Sequence, residues 1–377
     1  MPMTPSVVRH EKRRRWAVVA AVAVVLVALP SVVAALAPAG ASVDPARLRA
    51  LVLQSAGRPY QGYAESAGSL ALPELPNLAP VTALFSMRTP MRAWYAGPDR
   101  YRVDILGTAG EHDVSRLPDG EYTWDYGDDT LTELIGEPAV RLPRAGDLLP
   151  PELARRILRA AQGDPVTALP GRNVAGVAAS GLRLVPADPA TTIGQVDVWA
   201  DPATGLPVRV EVSARGQRAP ILVTEFRQLA QTAPVVEAPR PVPGSGFTVA
   251  SAPDVSAVLG ALGQVELPPT LAGRPVVSSD FGGVEGAALY GTGLAAFAVV
   301  AVPRAVGNAA AEAAGKAGAV QVKLAAGSVV QLSITPLSLA IVRSPVYRRT
   351  YLLAGTVTPE VLKTVADELS RPRRSGR

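Results

Sequence analysis

The chain has 377 residues, a formal net charge of +5, no cysteine and two histidines. The missing cysteine excludes disulfides, thiolate zinc sites, a cysteine nucleophile and a lipidated cysteine anchor. The basic excess lies at the two ends, in Arg9, Lys12, Arg13, Arg14 and Arg15 and in Arg371, Arg373, Arg374 and Arg377. Residues 44–370 are therefore mildly acidic and offer no basic stripe for nucleic acid. The 36 prolines argue against a helical bundle and for a loop-rich, strand-rich protein.

After the cytoplasmic-type basic tail of residues 1–16, the run 17–37 is almost wholly Ala, Val and Leu, broken by Pro30 and Ser31. As a helix it spans about 31 Å, close to a bilayer's hydrocarbon core. Positive charge on its N-terminal side predicts a single-pass cell-membrane protein with the N-terminus cytoplasmic and the bulk extracytoplasmic. The competing reading is a cleaved export signal: Ala37-Pro38-Ala39 and Ala39-Gly40-Ala41 have the small-x-small cleavage pattern, and Arg14-Arg15 faintly resembles a twin-arginine signal. The apolar length favours a retained anchor. Either way the same body is exported, to the membrane exterior or as a secreted or periplasmic protein.

Asp44 and Pro45 open a short helix with Leu48, Leu51 and Val52 at helical spacing, ending near Gly57-Arg58-Pro59. A strand is expected from Tyr60 to Glu65, then a Pro-rich loop over 68–80. Period-2 segments follow: Phe85, Met87 and Met91 as one strand, then Tyr101, Val103 and Ile105, then Tyr122, Trp124 and Tyr126, then 130–135. Turns at Ala96-Gly97-Pro98-Asp99, Pro118-Asp119-Gly120 and Gly127-Asp128-Asp129 separate them. The alternation predicts antiparallel strands with one apolar and one wet face. A helix is expected over 151–161. Further strands follow at 174–185, around Val196 and Val198, around Val208, Val210 and Val212, and over 221–226, with Trp199 on the charged face. The first domain, 44–230, thus reads as a curved antiparallel half-barrel sheet with packed helices, an α+β arrangement.

Residues 231–253 form a Pro/Gly-rich linker. A smaller α+β domain, 254–370, is expected to contain a short helix near 255–262, a strand over 287–302, an Ala-rich helix over 306–317, four strands between 320 and 353, and a closing helix capped by Thr358 with Pro359 at its first position. The tail 371–377 is basic.

No catalytic constellation emerges. His10 lies in the tail and His112 sits alone near a strand end, whereas metal or triad chemistry needs partners. Gly291-Thr292-Gly293-Leu294-Ala295-Ala296 imitates a dinucleotide fingerprint but leads into a Val-rich strand, so the required strand-to-helix context fails. Asp113, Asp125 and Glu133 fall on or near neighbouring strands and read as solvated face residues. No metal, no cofactor and no enzymatic activity are expected.

The hairpin from Ile193 to Asp201, with Val196-Asp197-Val198-Trp199, followed by Thr204-Gly205-Leu206-Pro207-Val208-Arg209, resembles the LolA/RseB-like superfamily of extracytoplasmic half-barrels, as does Tyr101-Arg102-Val103-Asp104 after its Gly-Pro-Asp turn. The second unit, with Tyr290-Gly291-Thr292-Gly293-Leu294 and residues 351–357, is similar to the C-terminal halves of actinobacterial relatives and more loosely of RseB, which belongs with MucB in that superfamily. The resemblance implies a non-enzymatic binder: a half-barrel that holds lipid or lipoprotein acyl chains, or a sensor that binds an anti-sigma factor or another membrane protein. A single apolar sheet face imperfectly covered by helices leaves a groove for such a ligand. Phe85, Met87, Tyr101, Trp124 and Tyr126 are the candidate lining residues, with ordinary core packing as the alternative for each. A tethered sensor is the expected role, and a soluble LolA-like carrier after signal cleavage is the alternative.

Overall fold

The computed structural model describes residues 43–70, 79–107, 110–136, 143–251, 265–278, 286–344 and 349–371. The expected membrane or signal segment at 17–37, the helix near 255–262 and the end of the basic tail lie outside the described residues. No helix among the described residues is long and apolar enough to cross a membrane.

Helix α1 (Pro45–Gln54) starts as expected: the Asp44 side chain accepts from the Arg47 amide at 2.9 Å, and proline occupies the first turn. The first domain's sheet is formed by β1 (Tyr60–Gly68), β2 (Arg88–Gly97), β3 (Arg100–Leu106), β4 (Glu111–Leu117), β5 (Gly120–Asp125), β6 (Thr130–Ile135), β7 (Val166–Val174), β8 (Val177–Leu184), β9 (Ile193–Ala200), β10 (Pro207–Ala214), β11 (Leu222–Ala230) and β12 (Gly246–Ser251). It is 12-stranded, in the order β12-β6-β5-β4-β3-β2-β1-β11-β10-β9-β8-β7. Nearest neighbours in sequence are thus mostly neighbours in space, except that β1 closes against β11 and β12 returns to pair in parallel with β6. The last residues of the Pro/Gly-rich stretch are therefore built into the first sheet. Gly205 makes one close approach possible: its φ is +73°, and a Cβ there would sit 2.4 Å from the Leu51 carbonyl oxygen of α1.

One face of this sheet is apolar and covered. Helix α3 (Pro150–Ala160) crosses β10 and β11, and α1 lies over β8 and against α3. Leu48, Val52, Ala154 and Leu158 meet Val196, Val198, Val210, Leu182, Leu184 and Phe226 in one core. A 3-10 turn at Ala145–Leu148 extends the cover towards β2 and β3. The other face carries a ladder of cross-strand ion pairs: Arg183–Asp197 (2.7 Å), Arg172–Glu211 (3.1 Å), Arg209–Glu225 and Arg227–Glu65 (2.9 Å). Each such pair contributes little alone, but together they oppose register slips that would exchange the two faces. Trp199 shares this charged face as expected, buried beneath the Arg172 guanidinium at 4.2 Å.

The second sheet, 8-stranded, joins β13 (Thr270–Leu271), β14 (Arg274–Ser278), β15 (Ala287–Tyr290), β16 (Phe297–Val302), β17 (Val320–Leu324), β18 (Gly327–Ile334), β19 (Leu337–Ser344) and β20 (Arg349–Gly355) in the order β13-β14-β15-β16-β20-β19-β18-β17. Helix α5 (Pro359–Ser370) packs Leu362, Val365, Ala366 and Leu369 onto Val329, Ala340, Val342 and Leu353. Helix α4 (Arg304–Lys316) lies on the opposite face and approaches closely through Gly307, where a Cβ would meet Thr350 at 2.4 Å. The two sheets meet at Thr191, which is wholly buried. It bridges to Val357, and its hydroxyl donates towards the carbonyls of Leu294 (2.6 Å) and Thr356 (2.9 Å). Arg274–Asp188 (2.7 Å) adds an ion pair across the same junction.

Three local expectations are corrected. Residues 79–86 form helix α2 (Ala79–Ser86), so Phe85 is helical and β2 begins only at Arg88. The stretch 287–302 is two antiparallel strands joined by a turn at 291–296, because Gly291 and Gly293 adopt φ of +79° and +67°. Thr358 occupies the N-cap of α5, but its side chain makes no capping hydrogen bond.

Candidate ligand-binding cleft

The helical cover is complete over β8–β11 and incomplete over β1–β4. There the register aligns Tyr60 with Tyr95 and Tyr95 with Tyr101, giving a cross-strand row of three tyrosines. The Tyr60 and Tyr95 rings stack at 4.9 Å, Tyr95 and Tyr101 at 6.1 Å, and Phe226 meets Tyr60 edge-on at 5.5 Å. The next row is Ala93, Val103 and Val114. These rows form the floor of a cleft of about 210 Å³. Its roof is the segment Arg144–Asp147 with Leu149, Glu152 and Arg156.

Among the described residues, the arginines around the cleft are paired. Arg144 binds Glu121, Arg156 binds Asp147 at 3.0 Å, and the almost fully buried Arg155 binds Glu152 and lies 5.9 Å from the Tyr95 ring. Tyr95 donates its hydroxyl to the Ala56 carbonyl at 2.6 Å, and burial pushes its pKa up to about 12. Tyr60 differs: it is 0% exposed and its hydroxyl has no hydrogen-bond partner among the described residues. Burial, reinforced by the Glu152 charge, drives its pKa far up, so the hydroxyl keeps its proton and remains a donor.

Of the five candidate lining residues, Tyr101 lines the cleft. Phe85 packs on the edge of the first core from α2, and Met87 is 62% exposed. Trp124 is buried on the opposite face of the sheet, 5.5 Å from the half-exposed Tyr126. The structure therefore does not gather the five into one place. Tyr60 and Tyr95, the other members of the row, were not singled out by alternation. Their partnership depends on which strands pair, and the accessible signal was three tyrosines on three successive predicted strands.

A second cluster sits on the outer face. Asp104 and Asp113 are direct cross-strand partners and both are buried. Arg102 bridges them, at 2.5 Å from Asp104 and 2.7 Å from Asp113, with Glu111 3.9 Å away. Desolvation and the Asp104 charge push Asp113 up to about 7. The reading of Asp113 as a solvated face residue is thereby corrected: Trp124 flanks it on β5 and Arg102 covers it, so water is excluded. Asp104, Glu111 and Asp113 bring carboxylate oxygens within 4.8 Å of one another, but the cation among them is Arg102. His112 is not alone either, since its Nδ1 lies 3.6 Å from Asp125 on the covered face.

No protein-family profile matches the chain, and no curated protein matches it. Solved structures do. A Pseudomonas aeruginosa MucA/MucB complex matches at 16% identity over 86% of this chain and 97% of that chain, with a TM-score of 0.48. MucB alone matches at 16% identity over 86% and 97%, with a TM-score of 0.44. A LolA-superfamily protein of Nitrosomonas europaea matches at 11% identity over 52% of this chain and 96% of its own, with a TM-score of 0.23. These are solved structures to which the chain is similar, each with a TM-score below 0.5. Identities and scores this low carry no ligand or partner across to it, so the cleft's chemistry has to be argued from its own residues.

Proposed function

We propose that this chain is a non-enzymatic, membrane-tethered extracytoplasmic binding or sensor protein whose first domain takes an apolar, acyl-type part of a lipid or lipoprotein. The observation that carries this reading is the cleft of about 210 Å³ between the row Tyr60–Tyr95–Tyr101 and the Arg144–Asp147 segment. Aromatic and aliphatic side chains with a few fixed polar groups are the usual lining of a small-molecule site. The cleft's volume, about 210 Å³, is below the roughly 300–1,000 Å³ of sites that enclose a whole drug-sized ligand. It therefore suits one segment of a longer molecule whose remainder stays outside.

The basic cluster and apolar run before residue 44 support the tether. In the sensor role, a membrane partner of the anti-sigma-factor type, which the sequence resemblance implies, engages the second domain or the junction. A carrier released by cleavage near Ala39-Gly40-Ala41 is the alternative, supported by the small-x-small pattern there. Mass spectrometry of organic extracts of the purified full chain tests the ligand. Co-purifying acyl compounds are expected, and a lipid-free protein with a stoichiometric protein partner would remove the lipid reading. N-terminal sequencing of the mature protein separates tether from carrier.

A further inference from the structure

We infer that the outer edge of β12 is a self-association surface, on which a second copy of this chain pairs its own β12 antiparallel across a two-fold axis. The inference is independent of the cleft and its ligand. Among the described residues the two sheets end in four edge strands, and three carry features that discourage pairing with another chain. Strand β7 contains Pro170, shifts register between Leu169 and Arg172 and carries the Arg172 charge. Strand β13 is two residues long, and β17 carries Lys323. Strand β12 has none of these. Its six residues, Gly246 to Ser251, include no charge and no proline, and Phe247 and Val249 are 50% and 52% exposed. Ile135, beside Ser251 on β6, extends the same exposed apolar face.

The Gly246 amide donates to the Asp129 carbonyl at 2.9 Å and so sets the phase of the backbone. Backbone groups along a strand point alternately to its two sides. Gly246, Thr248 and Ala250 therefore turn theirs towards β6, and Phe247, Val249 and Ser251 turn theirs outward. An antiparallel copy with Thr248 on the two-fold axis sets Phe247 opposite Val249 of the second copy, and the reverse, in hydrogen-bonded pairs. Thr248 then meets Thr248 of the second copy in a non-hydrogen-bonded pair. Aromatic–β-branched and Thr–Thr pairs are both favourable cross-strand neighbours, and no like charges meet. The strand is thus complementary to itself, which commits the edge to a second copy. A stable interface takes about 20–30 residues a side, so pairing through this strand is weak and depends on concentration.

The full chain has no cysteine, so single cysteines report the contact without background. Thr248→Cys is oxidised with copper phenanthroline in detergent solution beside two controls: Val249→Cys, off the axis on the same strand, and Val320→Cys, on the β17 edge. All three positions are exposed, so the variants keep the fold. Non-hydrogen-bonded pairs stand about 4.5 Å apart between Cα atoms, within the range of a disulfide. Thr248→Cys should therefore form cross-linked dimer about ten-fold faster than either control. Sedimentation of the unmodified chain should show a concentration-dependent dimer. Val249→Lys, which places a charge on the edge opposite Glu133, should weaken that dimer about ten-fold without lowering the melting temperature. Equal cross-linking at the three positions, fastest cross-linking at Val320→Cys, or a dimer that survives Val249→Lys would each overturn the inference. A chain that stays monomeric at every concentration and does not cross-link through Thr248→Cys would overturn it as well.

Discussion

Asp113 offers a quantitative test of the electrostatics. Its carboxyl is directly opposite that of Asp104, is 4% exposed, and has an oxygen without a hydrogen-bond partner. Raising an acid from 3.8 to about 7 means that the native state binds this proton more tightly than the unfolded chain does. The associated stabilisation is fully present below pH ~4 and is lost as pH rises through about 7. At about 1.4 kcal/mol per tenfold change the upper limit is roughly 4 kcal/mol. Retention of the Arg102 contact by an amide oxygen leaves on the order of 2–4 kcal/mol for Asp113→Asn at pH 8. In a protein of this size that is roughly 3–5 °C in Tm. Circular-dichroism melts at pH 5, 6, 7 and 8 should show the unmodified Tm falling with pH more steeply than that of Asp113→Asn. The gap should narrow steadily towards pH 5 and close near pH 4, with the variant the more stable at pH 8. A variant that is less stable at pH 8, or that has the same pH slope, would refute the reasoning.

Tyr60→Phe removes an unmatched buried hydroxyl and should leave the unliganded protein unchanged or about 1 kcal/mol more stable in a denaturant titration. A loss above about 2 kcal/mol would mean that the hydroxyl is satisfied within the fold. Thr191→Val deletes the hydroxyl that reaches the Leu294 and Thr356 carbonyls and takes from the buried Ile193 amide its Thr191 acceptor, while the two carbonyls keep the Thr356 hydroxyl and the Thr192 amide as donors. It should cost about 1–3 kcal/mol. It should also quicken proteolytic cutting between the two sheets, which an unchanged digestion pattern would contradict. Leu158→Ala, at a side chain with no exposure in the first core, should cost about 2–5 kcal/mol by denaturant midpoint, and a cost below 1 kcal/mol would mean that α3 is not a core helix.

Much of the sheet was legible where turn chemistry brackets a period-2 run. Strands at 100–106, 120–125 and 130–135 follow from Gly-Pro-Asp, Pro-Asp-Gly and Gly-Asp-Asp turns, and 130–135 was placed to the residue. Helix 79–86 was hidden because Val81, Thr82 and Phe85 have strand preferences and the helix is short, so tertiary packing against β1 decides it. The cleft was only partly legible. Tyr101 follows from its own strand's alternation, but Tyr60 and Tyr95 join it only through pairings set by sheet closure, in which β1 meets both β2 and β11. The roof at 144–147 belongs to no periodic pattern at all. Alternation also misled at Asp113: it assigns a side chain to a face, and says nothing about what covers that face.

Photo-labelling with a diazirine-bearing monoacylglycerol, followed by peptide mapping, tests the central claim most directly. The account predicts labels on peptides containing Tyr95–Val103 and Ala145–Glu152, suppressed by excess unlabelled ester and lost in Val114→Trp, which fills the cleft floor without touching the helical core. Labels confined to the second domain or to the outer charged face, or undiminished in Val114→Trp, would contradict it.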